Sequence, residues 1–451
     1  MNSIVTNHTT APSGKLNQLL DTLHSYRPTP QQNLYLIAFL FPSILLYLIN
    51  NRYQKQKHRR QKHHLSISIS KPTTTSATST EKQQLLIKDQ REPGKWPPSS
   101  YVFPTPPPYP NWSLTETKAL PYRPFRYGPV YHTTMGLRTV APENWIELDN
   151  QYAKYHSDKA ARIAERGDKV IMVAPEAAEA AVELVKELVE YLPERYPSLF
   201  RRTAAGIDNL WSGESFDISV LTGTGEKAVE EGRKAMEIAA RLIQDDLALM
   251  VEQPEDDQYH LLAGAVLLPG FWRLTDKFGM SLAELHTSGD VPQYKEKLHR
   301  GMYNLFRRLR PEQMVGRNNY FIQVDDSLAW SWSIGSEDDT ETSWSTAEKN
   351  RAIEHHYFRS ERQTLRRLPK TGAMCFTIRT YFEPIKAIAE EDYVPGRLAS
   401  AVRSWGDDVA KYKGKERYGE VLLEFLDKKH QEQVGRGLDL SREDECRAYP
   451  F

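Results

Sequence analysis

Between Phe271 and Tyr294 the chain reads FWRLTDKFGMSLAELHTSGDVPQY, a stretch rich in side chains that can do chemistry. Arg273, Asp276 and Lys277 crowd one short segment, Ser281–Leu285 can form a helical turn or two, and His286 stands at its end. A neutral imidazole ligates transition metals. Arg and Lys pair with carboxylates, and Arg does so through two parallel bonds. A histidine at a helix end with cations a few residues upstream therefore suits a haem, with His286 toward the iron and Arg273 and Lys277 toward the propionates. The competing explanation is a helix C-terminal histidine favoured by the helix dipole, beside a surface ion cluster.

Other donors compete with His286. Thiolate is disfavoured, because Cys375 falls in an apolar stretch and Cys446 in a polar tail. Of the 13 histidines, His355 and His356 beside an acidic stretch are the main rivals, and His260 is a lesser one. A second charged segment, Tyr357–Phe382, reads YFRSERQTLRRLPKTGAMCFTIRTYF. Arg359, Arg362, Arg366 and Arg367 surround Glu361, and Arg379 follows on the next apolar run. Such a segment can receive an anion, a propionate or the acidic patch of a redox partner; a solvated basic face is the plainer explanation.

Helical spacing of apolar residues predicts a helix over Glu176–Leu192, opened by Pro175 and closed by Pro193. It also predicts helices over Glu226–Val251, Ala352–Leu368 and Arg397–Lys411. Tyr259–Leu268, Asn319–Val324 and Met374–Phe382 read as strands. Strands and helices do not alternate regularly, so the expected class is α+β rather than a doubly wound sheet. Gly335–Thr342 (GSEDDTET) reads as a mobile polar loop. Gly223–Ala228 matches G-x-G-x-x-A, but the acidic position expected at the end of a second strand falls at Asp245-Asp246, inside the predicted helix. A tight glycine turn before a helix is the better reading.

The whole chain of 451 residues balances 59 Lys+Arg against 59 Asp+Glu. The balance hides an asymmetry: residues 1–64 hold 8 basic residues and one acid, so the remainder carries 51 against 58. A mildly acidic body argues against nucleic acid as a partner. Two cysteines cannot build a disulfide framework or a Cys₄ iron–sulfur site. From Leu34 to Ile49 there is no charge, and Arg52, Lys55, Lys57, Arg59, Arg60 and Lys62 follow at once. A run of roughly 25 Å with a basic flank after it reads as an uncleaved signal anchor, its body on the cytosolic side. The expected organisation is an N-terminal segment (1–32), one transmembrane helix (33–50), a basic flank and Pro/Ser/Thr-rich stalk (51–121), a folded domain (122–437) and a polar tail (438–451). The endoplasmic reticulum is the expected membrane.

The blocks PENWIELDNQY (Pro142–Tyr152), LIQDDLALM (Leu242–Met250), FWRLTDKFGMSLAELH (Phe271–His286) and ERQTLRRLPKTGAMCFTIRTYF (Glu361–Phe382) resemble, in order, the α subunit of haem-dependent oxidative N-demethylases. That resemblance implies a PAS-like antiparallel sheet with surrounding helices, haem b, activation of O₂ and oxidative removal of a methyl group from a small amine. It implies electrons from NADPH through a flavin and an iron–sulfur cluster in a separate reductase. On the matching positions His286 is the candidate proximal ligand, Arg273, Lys277 and Arg379 are candidate propionate partners, and Glu361 is the candidate catalytic carboxylate, holding a substrate ammonium or acting as an acid. The anchor, the stalk and the acidic loop are additions, and the architecture looks eukaryotic, with fungal secondary metabolism as its setting. The alternative is a non-catalytic PAS-type sensor or carrier of haem or a small ligand; no output domain accompanies the chain, which favours the enzyme.

Overall fold

The computed structural model describes residues 91–125 and 130–443. The expected anchor at 33–50, its basic flank and the start of the stalk lie outside the described residues. Among the described residues no helix is long and apolar enough to cross a membrane.

Five long strands make the centre: β6 (Asp246–Gln253), β7 (Gln258–Ala265), β8 (Met314–Gln323), β9 (Tyr357–Arg367) and β10 (Met374–Pro384). With β1 (Arg138–Thr139) and β2 (Ile171–Val173) they form a sheet in the order β1-β8-β9-β10-β6-β7-β2, antiparallel at every pairing. Three further strands, β3 (Phe200–Arg202), β4 (Gly206–Asn209) and β5 (Ser215–Asp217), form a separate small sheet. The β9–β10 turn is pinned from outside. Glu183 accepts hydrogen bonds from the backbone N–H of Lys370 (2.7 Å) and Thr371 (2.8 Å). Gly372 takes φ +73°, and a Cβ there would strike Trp96.

Register decides what each side chain meets, because successive residues of a strand point to opposite faces. Glu361 lies opposite Asn319 on β8 and Thr380 on β10. Arg317, Asn319, Glu361, Gln363, Phe376 and Ile378 therefore share a front face, and Arg362, Thr364, Arg366, Cys375, Thr377 and Arg379 share the back.

The back is covered by α1 (Tyr152–Arg166), α2 (Ala178–Arg195) and α3 (Ala228–Leu242). Leu184, Leu188 and Leu192 share one core with Leu247, Leu249, Ala263 and Cys375. Burial there pushes the Cys375 thiol up to about 12, so it stays protonated. Beyond α7 (Ile385–Ile388, numbered after the three front helices), α8 (Val394–Arg403) and α10 (Lys415–Gly435, after α9 at Asp407–Tyr412) bury Tyr320, Ile322 and Phe358 in a second core. The front helices all come from the connection between β7 and β8: α4 (Leu274–Lys277), α5 (Leu282–Ser288), a π turn (Tyr294–Leu298) and α6 (His299–Arg308). Leu282, Leu285, Met302 and Phe306 pack there on Met250, Leu365, Met374 and Phe376.

The α+β class holds, and three local expectations about helices need correcting. Ala352–Leu368 is strand β9 from Tyr357 on. Arg359, Arg362 and Arg366 are spaced i, i+3, i+7, which also fits one helix face, and the charges mask the strand's two-residue alternation. The helix expected over Glu226–Val251 stops at Leu242, and β6 begins at Asp246. Uniformly apolar Leu247–Met250 fits either period. Pro193 sits in the last turn of α2 rather than closing it.

The stalk boundary moves as well. The described part of the expected stalk, from Arg91 to residue 121, packs on the domain. Trp96 covers the Arg367 guanidinium at 3.6 Å, Phe103 lies 3.9 Å from that of Arg366, and Trp112 Nε1 donates to Leu148 O at 2.8 Å. Prolines dominate this composition, but the aromatic residues between them do the packing. The acidic loop is pinned too: Glu337 pairs with Arg162 (2.6 Å), and Asp338 with Arg166 (2.7 Å) and Lys169 (2.9 Å).

Candidate functional site

Helix α5 has a defined start. Ser281 Oγ accepts from Glu284 N–H (3.3 Å), and Glu284 Oε2 accepts from Ser281 N–H (2.8 Å), a reciprocal capping box. With Leu282 and Leu285 seated on the front face, His286 follows one turn after Leu282. Its Nδ1 lies 2.7 Å from Leu282 O. A carbonyl only accepts, so Nδ1 carries the proton and, in the neutral ring, Nε2 holds the lone pair. Burial pushes the His286 pKa below its ordinary value; the hydrogen bond to Leu282 opposes this, and the positive charges of Arg317 and Lys277 reinforce it. The ring stacks on Tyr294 at 4.8 Å and 12°. Among the described residues Nε2 has no hydrogen-bond partner. An imidazole oriented through Nδ1 to a carbonyl, with Nε2 left over, is the arrangement that metal-ligating histidines use.

The front face is open at its middle. Arg317, Asn319, Gln363, Phe376 and Ile378 are only half-buried, although their strands are interior to the sheet. Their back-face neighbours Arg362, Thr364, Cys375, Thr377 and Arg379 are buried. A cleft therefore lies over the sheet beside α5. Phe271, Phe321 and Tyr412 pack in series toward one end of it with tilted rings, at 5.5 and 5.7 Å.

Glu361 is buried and accepts from Gln363 Nε2 at 2.8 Å. Arg317 feels its charge but makes no ion pair with it. The Arg317 Nε is buried without a partner, and burial pushes its pKa down, opposed by Glu361, Tyr131 and Tyr412. Lys413, just after α9, donates to Tyr320 O and lies 4.2 Å from the centre of the Phe321 ring. Burial brings its pKa down to about 7, opposed by Glu361 and reinforced by Arg317.

Of the residues singled out in the sequence, His286, Lys277 and Glu361 are assembled around this cleft. Lys277 Nζ donates to Ser288 Oγ (2.8 Å) and acts on the charge of His286. Arg273 is held elsewhere, by Asp276 (2.7 Å) and by the carbonyls of Glu337 (3.0 Å) and Asp339 in the acidic loop. Arg379 is on the back face, paired with Asp149 at 2.6 Å. Arg317 was absent from the sequence reading; its signal was a basic residue beside two asparagines inside an apolar strand, VGRNNYFIQ.

The rival histidines sit in different settings. His260 uses both ring nitrogens, on Gly279 O (2.8 Å) and Asp256 (2.9 Å). His355 is exposed. His356 has the same arrangement as His286, Nδ1 at 3.1 Å from Ala352 O and Nε2 without a partner, but it is fully enclosed beside Tyr418 rather than on the open front face, and burial brings its pKa down to about 4.

Among the described residues no three His, Cys, Asp or Glu side chains converge as a metal cage. A haem iron carries four ring nitrogens of its own and needs one protein donor. The partner-free Nε2 of His286, an apolar floor of Phe376 and Ile378 and the orphaned Arg317 Nε together fit that group.

The fold is thus α+β, with a helix-end histidine beside a part-exposed sheet face. The chain belongs to the haem-dependent oxidative N-demethylase, alpha subunit-like family, which it matches over residues 136–423. The match spans His286, Arg317, Glu361 and Lys413, and family membership makes the protein a haem-dependent oxidoreductase of the oxidative demethylase class.

Proposed function

We propose that the protein is a membrane-anchored haem monooxygenase that removes a methyl group from a small amine or a related metabolite. The observation that carries this reading is His286, fixed through Nδ1 with Nε2 left over, at the rim of an open sheet face. The order β7-β6-β10-β9-β8, with every front helix inserted between β7 and β8, supports a PAS-like core.

Haem b, held by His286 with Lys277 nearby, would supply the redox iron at which O₂ is reduced. The net change is R–NH–CH₃ + O₂ + 2 e⁻ + 2 H⁺ → R–NH₂ + HCHO + H₂O. The chain's own groups do the rest. Glu361, held by Gln363, can accept the N–H of a substrate ammonium at a carboxylate oxygen, or deliver a proton. The stack of Tyr294 on His286 fixes the imidazole plane. Two cysteines cannot build a Cys₄ iron–sulfur site, and electrons would come from a separate reductase carrying flavin and an iron–sulfur cluster and fed by NADPH. The apolar run at 33–50 would tether both to one membrane, that of the endoplasmic reticulum, with the domain in the cytosol.

The test is spectroscopic, then kinetic. The full-length protein should show a Soret band that shifts on reduction and again with CO. With a generic reductase, NADPH consumption and formaldehyde release should depend on an added secondary amine. Haem binding with no turnover on any N-methyl amine would favour the non-catalytic sensor or carrier; no Soret band would overturn both.

A further inference from the structure

We infer that Arg317 is the carboxylate-binding residue of the front-face cleft, an assignment that rests on the haem-site reading of that cleft. Six arginines sit on β8, β9 and β10. Five have at least one ion pair or hydrogen bond inside the protein. Arg362 pairs with Glu147 (3.0 Å), Arg366 with Glu187 (2.7 Å) and Arg379 with Asp149 (2.6 Å). Arg359 donates to Leu328 O (2.8 Å), and Arg367 to Leu309 O (2.7 Å). Arg317 alone among them has neither an ion pair nor a hydrogen bond.

A guanidinium in a protein interior is unfavourable without a partner. The nearest carboxylate, Glu361, does not supply one: it is bonded to Gln363, two positions along β9 and directly opposite Arg317. Arg317 therefore lies on the part-exposed front face with no protein partner among the described residues, its Nε buried.

The geometry selects the ligand class. A planar guanidinium matches a planar carboxylate through two parallel bonds. Glu361 close by disfavours a dianion such as phosphate, which would meet a second negative charge. Tyr412 also lies within electrostatic reach of Arg317 and could add a hydroxyl donor. Two carboxylates can arrive here. One is a propionate of the haem beside His286. The other is the carboxyl group of an N-methylated amino acid, whose ammonium would meet Glu361 on the neighbouring strand.

Full-length wild type, Arg317→Met and Arg317→Lys separate the two sources. In the first arm the haem-free proteins are titrated with iron protoporphyrin IX and with its dimethyl ester, which lacks the propionate charges. In the second, the haem-loaded proteins are titrated with N-methylglycine and with dimethylamine, read from the difference spectrum. If the carboxylate is a propionate, wild type prefers the diacid about 10- to 100-fold, Arg317→Met loses that preference and Arg317→Lys keeps part of it. If it belongs to the substrate, the same pattern appears between N-methylglycine and dimethylamine. No Arg317-dependent preference in either arm overturns the assignment, even if His286 binds haem as proposed. If wild type takes up no porphyrin, the haem reading itself fails; calorimetry of N-methylglycine against dimethylamine on the same proteins then decides Arg317. Should Arg317→Met not fold, Arg317→Lys carries the comparison.

Discussion

The two faces of the central sheet treat charge in opposite ways. On the back, arginines are buried and each finds a carboxylate: Arg362 with Glu147, Arg366 with Glu187, Arg379 with Asp149. On the front, at the middle of the same strands, Arg317 is unpaired, Glu361 is held by an amide, and apolar Phe376 and Ile378 are half-open. Both faces are rich in ions, but the carboxylate partners of arginine lie only on the back; on the front Arg359 and Arg367 are held by backbone carbonyls and Arg317 has no partner among the described residues. The back face uses charge to lock strands to the segment that precedes α1 and to helix α2. The front face leaves its valences free, which suits a ligand.

That contrast predicts large functional losses from front-face changes and large stability losses from back-face changes. His286→Ala should abolish the native Soret spectrum, and added imidazole should partly restore it by filling the vacated position. A full haem complement with an unchanged spectrum would move the ligand elsewhere and erase the front-face reading.

Arg379→Met should cost about 3–5 kcal/mol of stability, because Asp149 is left buried and uncompensated. The folded fraction should keep an unaltered spectrum. Denaturant unfolding followed alongside the Soret band checks this; a spectral change without destabilisation would place Arg379 in the site after all.

A smaller effect should come from His356. Its folded pKa of about 4 lies below the unfolded value of about 6.5. The unfolded state therefore binds the extra proton first as pH falls, and stability declines from about pH 6.5 down to about pH 4. His356→Gln should flatten this acid limb by about 2 kcal/mol between those limits, measured by urea melts at stepped pH. An unchanged limb would mean that other groups carry it.

The least effect is expected at the acidic loop. Asp338→Asn removes the partner of Arg166 and Lys169. It should speed proteolysis within residues 335–342 and leave haem binding as it was. Slower haem loss or a shifted Soret band would tie the loop to the cleft.

Much of this architecture could be read along the chain. The α2 helix, the β7 and β10 strands and the α+β class follow from local spacing, because apolar periodicity is a property of neighbouring residues. His286 was legible for a similar reason: a helix end and its capping signal, Ser281 to Glu284, lie within a few positions. The Arg-rich β9 was not. Arg359, Arg362 and Arg366 satisfy helical spacing and mask the strand's alternation, and only pairing with β8 on one side and β10 on the other reveals the strand. The Pro-rich segment from Arg91 was misjudged because composition records its prolines and not the guanidinium groups waiting under Trp96 and Phe103.

Residue order alone established a helix-end histidine, a carboxylate within a basic run, a family and an apolar N-terminal run. It could not rank the arginines. Arg273, Arg317 and Arg379 look alike in the chain, and what separates them is who stands opposite. Arg379 meets Asp149 from 230 positions away, Arg273 reaches the backbone of a loop more than 60 positions on, and Arg317 meets no one. Local periodicity says that a strand has two faces. Which face is sealed and which is left open depends on long-range pairing and on the helices laid over the sheet, and those exist only once the chain has folded.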